Sequence, residues 1–419
     1  MIKEILILQR REIERKLKEP YVERMSPALK INSPLIKVIM GPRRAGKSFF
    51  ALHYLGGGLG KGGNFGYANF DDEKLAELEN YNELIAELDV LYNNPKILFF
   101  DEIQNISKWE LFVNRLQRQG RNIMITGSNS NLLSQELATH LTGRHTPINI
   151  LTFSFKEFLR HNKKELTSSE IKSKLDQYIV FGGYPEPLVK NLDYKEYISN
   201  LFDSVIYKDI IKRHNIRSSK RMEDLAFYLL ANVSSEYSYN SLTKTANLAS
   251  SHTTEKYLSY LEESFIFFSL KRFSYKAKEQ VSSNKKIYCF DNGMIYAKAF
   301  KINSDFGRIY ENVVAQELKR KEMDKLCEIY YWKNQQQEEV DFVVRENLKI
   351  KQLIQVCFNV EKPKTKDREI RALLKAGKEL KCKELLVITE NYEHEENVKW
   401  FDLEGKIKFI PLWKWLLKN

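Results

Sequence analysis

Short apolar runs alternate with longer amphipathic stretches from residue 34 to about residue 160. The runs KVIM, FGYANF, KILFFD and NIMITGS have the length of strands, and the stretches between them, such as DEKLAELENYNELIAELDVLY and WELFVNRLQRQG, have helical spacing. Strands that alternate with helices are typical of an α/β domain whose sheet is mainly parallel. The pattern therefore predicts such a domain over residues 1–160, in which residues 1–30 form an N-terminal helix and connector.

Three further regions follow this alternation. Residues 161–218 are predicted to be helical, with one interruption at the turn VFGGYPEP. Residues 219–300 contain two helices, the capped helix SSHTTEKYLSYLEESF and the strands FIFFSLKRF and KKIYCFD, which is the order of a winged helix. Over residues 301–419, a helix leads into EIYYWKN, EVDFVV and IKQLIQVCF, and ELLVITE follows another helix, so we expect a second α/β domain there.

The stretch VIMGPRRAGKSFF carries the most specific chemical signal in the chain. It satisfies the pattern G-x-x-x-x-G-K-[ST] between a predicted strand and a predicted helix. In such a loop, backbone N–H groups surround a β-phosphate, the lysine reaches the β- and γ-phosphate oxygens, and the serine hydroxyl binds Mg²⁺. We therefore expect ATP and Mg²⁺ as cofactors, with the nucleotide held by Gly41, Pro42, Arg43, Arg44, Ala45, Gly46, Lys47, Ser48 and Phe49.

Two acids follow the next buried strand. In ILFFDEIQN, the apolar run from Ile97 to Phe100 ends in Asp101 and Glu102. Asp101 is expected to hold Mg²⁺ together with Ser48, and Glu102 is expected to polarise the attacking water. A phosphate loop paired with these acids predicts hydrolysis of the nucleotide as well as binding.

Two other segments offer candidates for sensing the γ-phosphate. The segment NIMITGSNS presents Thr126, Ser128 and Asn129 at or after the end of a strand, and Ser128 is the preferred candidate of the three. Arg144 lies in a Gly-Arg turn, and its guanidinium is suited to neutralising transition-state charge. A surface ion pair is the alternative for Arg144. The sequence leaves open whether it acts within its own chain or on a neighbouring chain.

Composition narrows the class of partner. The chain has 419 residues, with 67 lysines and arginines against 55 acids and a formal net charge of +12. This surplus favours a polyanion, with DNA preferred over RNA, although a generic lysine-rich surface gives the same count. No signal peptide is evident, and no segment approaches the ~20 apolar residues of a membrane span. We therefore expect a cytoplasmic protein with no membrane partner and with reduced cysteines.

The predicted winged helix offers a surface for this partner. His252 and Lys256 lie on or before the candidate recognition helix, and KRFSYKAK, at 271–278, is a candidate basic wing. Three glutamates on the same helix dilute the positive charge. A protein partner therefore stays an alternative to nucleic acid.

Four segments together resemble the archaeal and bacterial AAA-type ATPases that carry a C-terminal domain of unknown function: GPRRAGKS, FFDEIQNISKWE, TGSNSNLLSQELATHLTGRHTPINILTFSFKEFL and FGGYPEPL. The resemblance covers nearly the whole chain. It implies an AAA+-like ATPase core, a winged-helix segment and a C-terminal domain similar to the restriction-endonuclease fold. It further implies that Gly41 to Ser48 are the Walker A motif, Asp101 and Glu102 the Walker B acids, Ser128 part of the sensor region and Arg144 the Gly-Arg element.

The same resemblance assigns Glu311, on a helix, and Asp341, on a strand, to a nuclease-like core. Gln355 and Cys357 stand where a working nuclease of this fold carries Glu and Lys. A neutral amide and a soft thiol are poor ligands for Mg²⁺, and cleavage needs carboxylates that hold the cation. We expect these four residues to form a degenerate nuclease-like site that no longer cuts nucleic acid.

The sequence therefore predicts a Mg²⁺-dependent ATPase of the AAA type that binds and hydrolyses ATP to regulate its interaction with nucleic acid. Two alternatives stay open. One is a nucleotide-gated protein-binding switch or scaffold that does not bind DNA, and the other is an ATP-controlled nuclease with a degenerate site. The sequence does not decide whether the chain forms an oligomer.

Overall fold

The computed structural model of the chain describes residues 2–25, 33–57, 64–127, 141, 143–162, 164–299, 306–360 and 363–419, without the side chains of 363–365. The chain forms two compact units. The first consists of residues 1–152 with 188–191 and 263–265, and the second consists of residues 153–187, 192–262 and 266–419.

The described residues of the first unit form a five-stranded sheet with helices between the strands. The strand order is β2-β3-β4-β1-β5, and all the pairings are parallel, which confirms the predicted α/β domain. A 3₁₀ turn at Ile103–Asn105 follows the third strand. The elements are α1 (Ile2–Lys16), β1 (Ile36–Met40), α2 (Lys47–Gly56), β2 (Phe65–Asn69), α3 (Glu73–Ala76), α4 (Tyr81–Leu91), β3 (Ile97–Asp101), α5 (Trp109–Arg118), β4 (Asn122–Thr126) and β5 (His145–Asn149).

Both faces of this sheet are buried, which explains why its central strands are continuous apolar runs. Val38 and Phe100 belong to one hydrophobic cluster, whereas Ile39 and Phe99 belong to a second. Neighbouring residues of a strand point to opposite faces, so each strand contributes to both clusters. Because the strands are parallel, their carboxyl ends share one edge, where the loop after β1 meets Asp101 and Thr126, the last residues of β3 and β4.

The chain after residue 153 continues with helices. A π-helix is the unusual element, because π-helical segments are rare and are mostly single turns within α-helices. Here it spans eight residues directly after an α-helix. The elements are α6 (Phe155–Arg160), α7 (Ser168–Phe181), α8 (Pro185–Lys190), α9 (Tyr194–Ser204), the π-helix (Val205–Lys212) and α10 (Ser219–Ala231).

A small antiparallel sheet with the strand order β6-β8-β7 comes next. The last of its strands, β8, is therefore central, and its residues Lys286 and Tyr288 lie on the same face. The elements are β6 (Ser235–Tyr237), α11 (Tyr239–Thr245), α12 (Ser251–Glu263), β7 (Phe267–Lys271), α13 (Ala277–Ser282), β8 (Lys285–Cys289) and α14 (Asn292–Lys298).

The C-terminal residues form a six-stranded mixed sheet with the order β13-β14-β12-β11-β10-β9. β10 is antiparallel to both β9 and β11, β13 is antiparallel to β14, and β12 is parallel to both β11 and β14, which confirms a second α/β arrangement. Across the described ranges, we find no helix long and apolar enough to cross a membrane. The elements are α15 (Phe306–Met323), β9 (Glu328–Lys333), β10 (Glu339–Glu346), β11 (Lys349–Val356), α16 (Pro363–Leu380), β12 (Leu385–Thr389), β13 (His394–Trp400), β14 (Leu403–Pro411) and α17 (Leu412–Lys418).

The turn VFGGYPEP is held by a buried aspartate. The carboxylate of Asp291 accepts hydrogen bonds from the backbone N–H groups of Gly183 and Gly293, each at 2.9 Å. A Cβ on Gly182 would lie 1.8 Å from Asp291 Oδ1, and a Cβ on Gly183 would lie 2.3 Å from the carbonyl oxygen of Phe153. Both glycines are therefore required by close approach, and Gly182 also has a left-handed φ of 75°.

We expect Gly183→Ala to lower the free energy of unfolding by about 1–3 kcal/mol, because the added methyl group must displace backbone. The matched control is Gly377→Ala in α16. There the new Cβ would lie 3.1 Å from the carbonyl oxygen of Cys382, a contact relieved by a shift of a few tenths of an ångström, and the helix propensity of alanine, about 1 kcal/mol better than glycine, offsets that cost. Urea unfolding of both variants measures the difference. If the two variants had equal stability, the backbone around Gly183 would be able to accommodate a methyl group at little cost.

Candidate nucleotide site

The phosphate loop connects β1 to α2 and has a constrained backbone. Gly41 and Gly46 adopt φ values of 146° and 88°, which favour glycine. A Cβ on Gly41 would lie 1.9 Å from the carbonyl oxygen of Ile150. Arg24, from the N-terminal connector, donates from Nη1 to the carbonyl oxygen of Ala45 at 3.1 Å. The glycines of the sequence pattern are therefore needed for the loop shape, and the connector braces the loop.

Lys47 is buried at the start of α2. Its ammonium donates to the carbonyl oxygens of Gly41 and Pro42, at 3.0 and 2.9 Å. These neutral acceptors keep the charge within the loop, and a phosphate oxygen would be a stronger, charged acceptor. Among the other predicted loop residues, Pro42 and Ala45 are buried, Arg44 is exposed, and Arg43, Ser48 and Phe49 are half-buried.

Asp101 gathers three hydroxyl groups at the carboxyl edge of the sheet. Ser48 Oγ donates to Asp101 Oδ1 at 2.9 Å, Tyr67 Oη donates to Oδ2 at 3.1 Å, and Thr126 Oγ1 donates to Oδ1. The structure thus brings together the two predicted Mg²⁺ ligands, Ser48 and Asp101. Both present the hard oxygen atoms that Mg²⁺ prefers, so the residues fit this ion.

Glu102 lies next to this cluster on a strained backbone. Its φ is 52°, its N–H donates to Thr126 Oγ1 at 3.0 Å, and its carboxylate accepts from Gln104 Nε2 at 2.5 Å. Burial raises the pKa of Glu102, Lys47 opposes the shift, and Asp101 adds to it. A carboxylate with a raised pKa is a better proton acceptor, which suits the predicted role of Glu102.

Of the three candidates at the end of β4, Thr126 lies within the described residues. It ends β4, and its hydroxyl contacts both Asp101 and the backbone of Glu102. The preferred candidate, Ser128, and Asn129 lie outside the described residues. The sensor role of Ser128 therefore stays a prediction.

Arg144 lies at the amino edge of the parallel sheet. It precedes β5, where His145 pairs with Ile36 at the beginning of β1, and its carbonyl oxygen accepts from the N–H of Ile36 at 2.9 Å. The phosphate loop follows the opposite end of β1. At about 3.3 Å per residue, these two ends are roughly 13 Å apart. The exposed Arg144 thus lies at the edge of the sheet opposite the phosphate loop, and its action, within its own chain or on a neighbouring chain, stays a prediction.

Two residues of this site have no assigned role in the sequence analysis. Tyr67, which binds Asp101, lies within the strand FGYANF, and its aromatic ring gave no reason to expect a polar contact. Gln104, which binds Glu102, follows the acid by two positions in DEIQN. A polar residue this close to a candidate catalytic acid was a usable signal.

A buried lysine lies among the acids of the predicted nuclease-like site. Lys286 Nζ is 2.7 Å from Glu311 Oε1, 2.7 Å from Glu339 Oε1 and 3.2 Å from Asp341 Oδ1. Tyr288, on the same face of β8, donates to Glu311 Oε1 at 2.6 Å. The side chain of Lys286 is only 3% exposed. The sequence assigns Glu311 and Asp341 to a degenerate nuclease-like site, and that role stays a prediction; in the structure, one ammonium group pairs with both acids.

Burial and charge oppose each other in this cluster. Burial lowers the pKa of Lys286, but the surrounding carboxylates outweigh it and raise the pKa well above the ordinary lysine value. Burial, followed by Asp341, raises the pKa of Glu311, and Lys286 opposes that shift. The ammonium is therefore charged, and it supplies the cation that these acids require.

Gln355 and Cys357 have separate surroundings. Gln355 accepts from the N–H of Asp341 at 3.2 Å and donates to Glu369 Oε2 at 2.6 Å, so it helps to orient the aspartate. Burial raises the pKa of the Cys357 thiol to about 11, which keeps it neutral. Sequence reasoning missed Lys286, Glu339 and Glu369. No local signal marked Lys286, because it belongs to a different predicted domain.

We expect Lys286→Met to lower the free energy of unfolding by about 3–5 kcal/mol near neutral pH, because it leaves buried carboxylates without their counter-ion. Without the ammonium, burial keeps the pKa of these carboxyl groups above their unfolded values. A group raised in this way stabilises the fold at low pH and loses that contribution as pH rises. The loss should therefore be larger at about pH 8 than at about pH 5.

The matched control is Lys333→Met, which removes a less buried lysine that pairs with Glu236 at 2.7 Å and Glu339 at 3.7 Å. Urea unfolding at both pH values measures the two variants. Equal losses in both, with no dependence on pH, would contradict a special role for Lys286.

Comparisons with known proteins divide the chain into three matched stretches. A family model described as an AAA domain matches residues 33–159. Two domains of unknown function, DUF8612 and DUF4143, match residues 172–305 and 306–415. The AAA match contains the phosphate loop and both acids, which supports a nucleotide-binding AAA ATPase domain.

The chain is also similar to proteins of comparable length. It is 37% identical to the uncharacterized protein MJ1544 of Methanocaldococcus jannaschii, over 99% of this chain and 95% of that protein. It is 32% identical to an uncharacterized protein of Haemophilus influenzae, over 92% of this chain and 95% of that protein.

Among solved structures, the replication initiator DnaA bound to AMPPCP and single-stranded DNA aligns with a TM-score of 0.27 at 16% identity, over 61% of this chain and 88% of that one. A TM-score this low gives no ground for transferring either ligand to this chain. The full-length relatives carry more weight, because each aligns with almost the entire sequence. This chain therefore belongs to the family of MJ1544, and in it an AAA domain is followed by two domains of unknown function.

Proposed function

We propose that this protein is a Mg²⁺-dependent ATPase that binds and hydrolyses ATP to regulate its contact with nucleic acid. The observation that carries the proposal is the meeting of Lys47, Ser48, Asp101 and Glu102 at the carboxyl edge of one parallel sheet. In parallel α/β sheets, ligands bind at this edge. The arrangement contains a cation for phosphate, hard oxygens for Mg²⁺ and a carboxylate for water.

Phosphate binding is assigned to the loop and to Lys47. The loop leads directly into the amino terminus of α2, and such a helix terminus favours an anion. The ammonium of Lys47 would exchange its carbonyl acceptors for phosphate oxygens. Ser48 and Asp101 would hold Mg²⁺, which neutralises charge on the phosphates when it is bound.

Glu102 is proposed as the general base. Its raised pKa favours acceptance of a proton from water, and Gln104 fixes one carboxylate oxygen at 2.5 Å. The buried hydroxyl of Thr126 links the backbone of Glu102 to Asp101, so the metal ligand and the base are positioned together. Correct placement of the base is a large part of the rate enhancement in reactions of this type.

We expect Glu102→Gln to lower the rate of ATP hydrolysis by about 10²–10⁴, because the amide cannot accept the proton. Binding of ATP should be retained in Glu102→Gln and lost in Lys47→Ala, which serves as the comparison. Phosphate release with Mg-ATP and equilibrium binding of a fluorescent ATP analogue measure the two effects. Absence of turnover by the wild type, both with and without DNA, would exclude the ATPase.

Contact with nucleic acid is supported by charge and by topology. The net charge is +12, and the order α10, β6, α11, α12, β7, β8 with β8 at the centre of the sheet agrees with a winged helix. In winged-helix proteins, the third helix is the usual recognition helix, and here it would be α12. Exposed lysines in the segment between β7 and β8 add to the positive surface.

We propose that the C-terminal domain does not cleave nucleic acid. Its order of one helix, three antiparallel strands, a helix and a parallel strand supports the inferred nuclease-like fold. However, Lys286 pairs with the acids that a catalytic metal would need.

We therefore expect no Mg²⁺- or Mn²⁺-dependent cleavage of DNA by the wild type, with or without ATP. Gel electrophoresis of a linear duplex after incubation with each metal provides the measurement, with Asp341→Ala as the control. Cleavage by the wild type that disappears in Asp341→Ala would establish a nuclease instead.

A further inference from the structure

A basic segment, here called the basic turn, runs from the second half of the π-helix to the first turn of α10, over residues 208–221. Residues 208–221 contain six lysines and arginines against one acid, Asp209. Lys212 ends the π-helix and Arg213 follows it, and both side chains are exposed. Positive charge is therefore concentrated on a short segment that the nucleotide site does not use.

Aromatic stacking joins this turn to α12. The rings of His214 and Tyr260 are 3.6 Å apart between centroids and inclined by only 12°. Lys256, one turn earlier on α12, is exposed and has its Nζ 6.0 Å from the centre of the Tyr260 ring. Cations from two separate elements thus lie beside the same pair of rings.

The proximity of these cations is apparent at His214. Burial lowers the pKa of His214, and Arg213 and Lys256 lower it further. The imidazole is therefore held neutral near physiological pH and serves as a stacking partner. It fixes the basic turn against α12 without adding a charge that would repel the lysine and the arginine.

The neighbouring acids leave a positive surplus. Asp209 on the π-helix and Glu255 on α12 are the acids nearest in sequence to the three cations. Glu262, six residues beyond Lys256 on α12, is half-buried and hydrogen-bonds Ser269, so its charge is already partnered. The exposed face of α12 next to the basic turn therefore remains favourable for an anion.

We propose that Lys212, Arg213 and Lys256 form one phosphate-contact surface for duplex DNA, with the stacked rings of His214 and Tyr260 as its rigid base. This inference rests on the proposed function, because it names the surface through which nucleic acid would be held. An exposed helix of this size fits the major groove, which is about 12 Å wide, while flanking cations reach the phosphates. Duplex DNA presents its phosphates in a regular row beside a groove, whereas an acidic protein does not.

The test compares two triple variants of the full chain. K212Q/R213Q/K256Q removes the proposed surface. K325Q/K383Q/K399Q removes the same charge from exposed lysines of the C-terminal sheet domain. Fluorescence anisotropy of a labelled duplex, without nucleotide and over a range of salt concentrations, gives log K against log salt for each protein. ATP turnover and thermal unfolding establish that both variants are folded.

The slope of log K should become less steep by about 0.9 for each lost phosphate contact, and so by about 2.7 in K212Q/R213Q/K256Q. The control variant should keep a slope close to that of the wild type. Equal slopes in the two variants would overturn the surface and leave the proposed function standing. A wild type without salt-dependent binding would overturn the nucleic-acid role and the surface together. Displacement of the duplex by polyglutamate as readily as by unlabelled DNA would overturn DNA as the occupant.

Discussion

The nucleotide site depends on one buried carboxylate. Asp101 ends β3 and accepts hydrogen bonds from Ser48, Tyr67 and Thr126, which come from α2, β2 and β4. A buried carboxylate is stable only when its charge is hydrogen-bonded or paired, so these elements must keep their relative positions. The parallel sheet provides that order, because it brings the carboxyl ends of its strands to one edge. Catalytic geometry and domain architecture are therefore consequences of the same constraint.

The C-terminal half also contains buried carboxylates, and there a lysine ammonium balances their charge. The carboxylates of Glu311, Glu339 and Asp341 surround the ammonium of Lys286. A cation supplied by the chain cannot dissociate, so the cluster is fixed once the protein has folded. The cluster balances its charge within the chain, and the Lys286 side chain at its centre is only 3% exposed. In the AAA domain, by contrast, Asp101 is held by the neutral hydroxyl groups of Ser48, Tyr67 and Thr126.

Local patterns predicted much of this protein. The parallel sheet, the phosphate loop and the meeting of Ser48 with Asp101 follow from apolar runs and motif spacing, which are local in sequence. The position of Arg144 was not predictable in this way, because it depends on the register of β5 against β1. Lys286 escaped prediction for a related reason: its partners lie on α15 and β10, and no short motif records a contact between separate regions. The positions of Arg144 and Lys286 are thus both set by contacts between residues far apart in sequence.

The ion pairs of Lys286 also cross the boundary between two of the matched domains of this chain. Lys286 lies within the stretch matched by DUF8612, while Glu311, Glu339 and Asp341 lie within the stretch matched by DUF4143. The boundary between the two family models thus separates an ammonium from all three of its counter-ions. Either stretch in isolation would carry unbalanced charge in its interior, at a cost of several kcal/mol for each ion. In this chain, the two stretches therefore depend on each other for the charge balance of their shared interior.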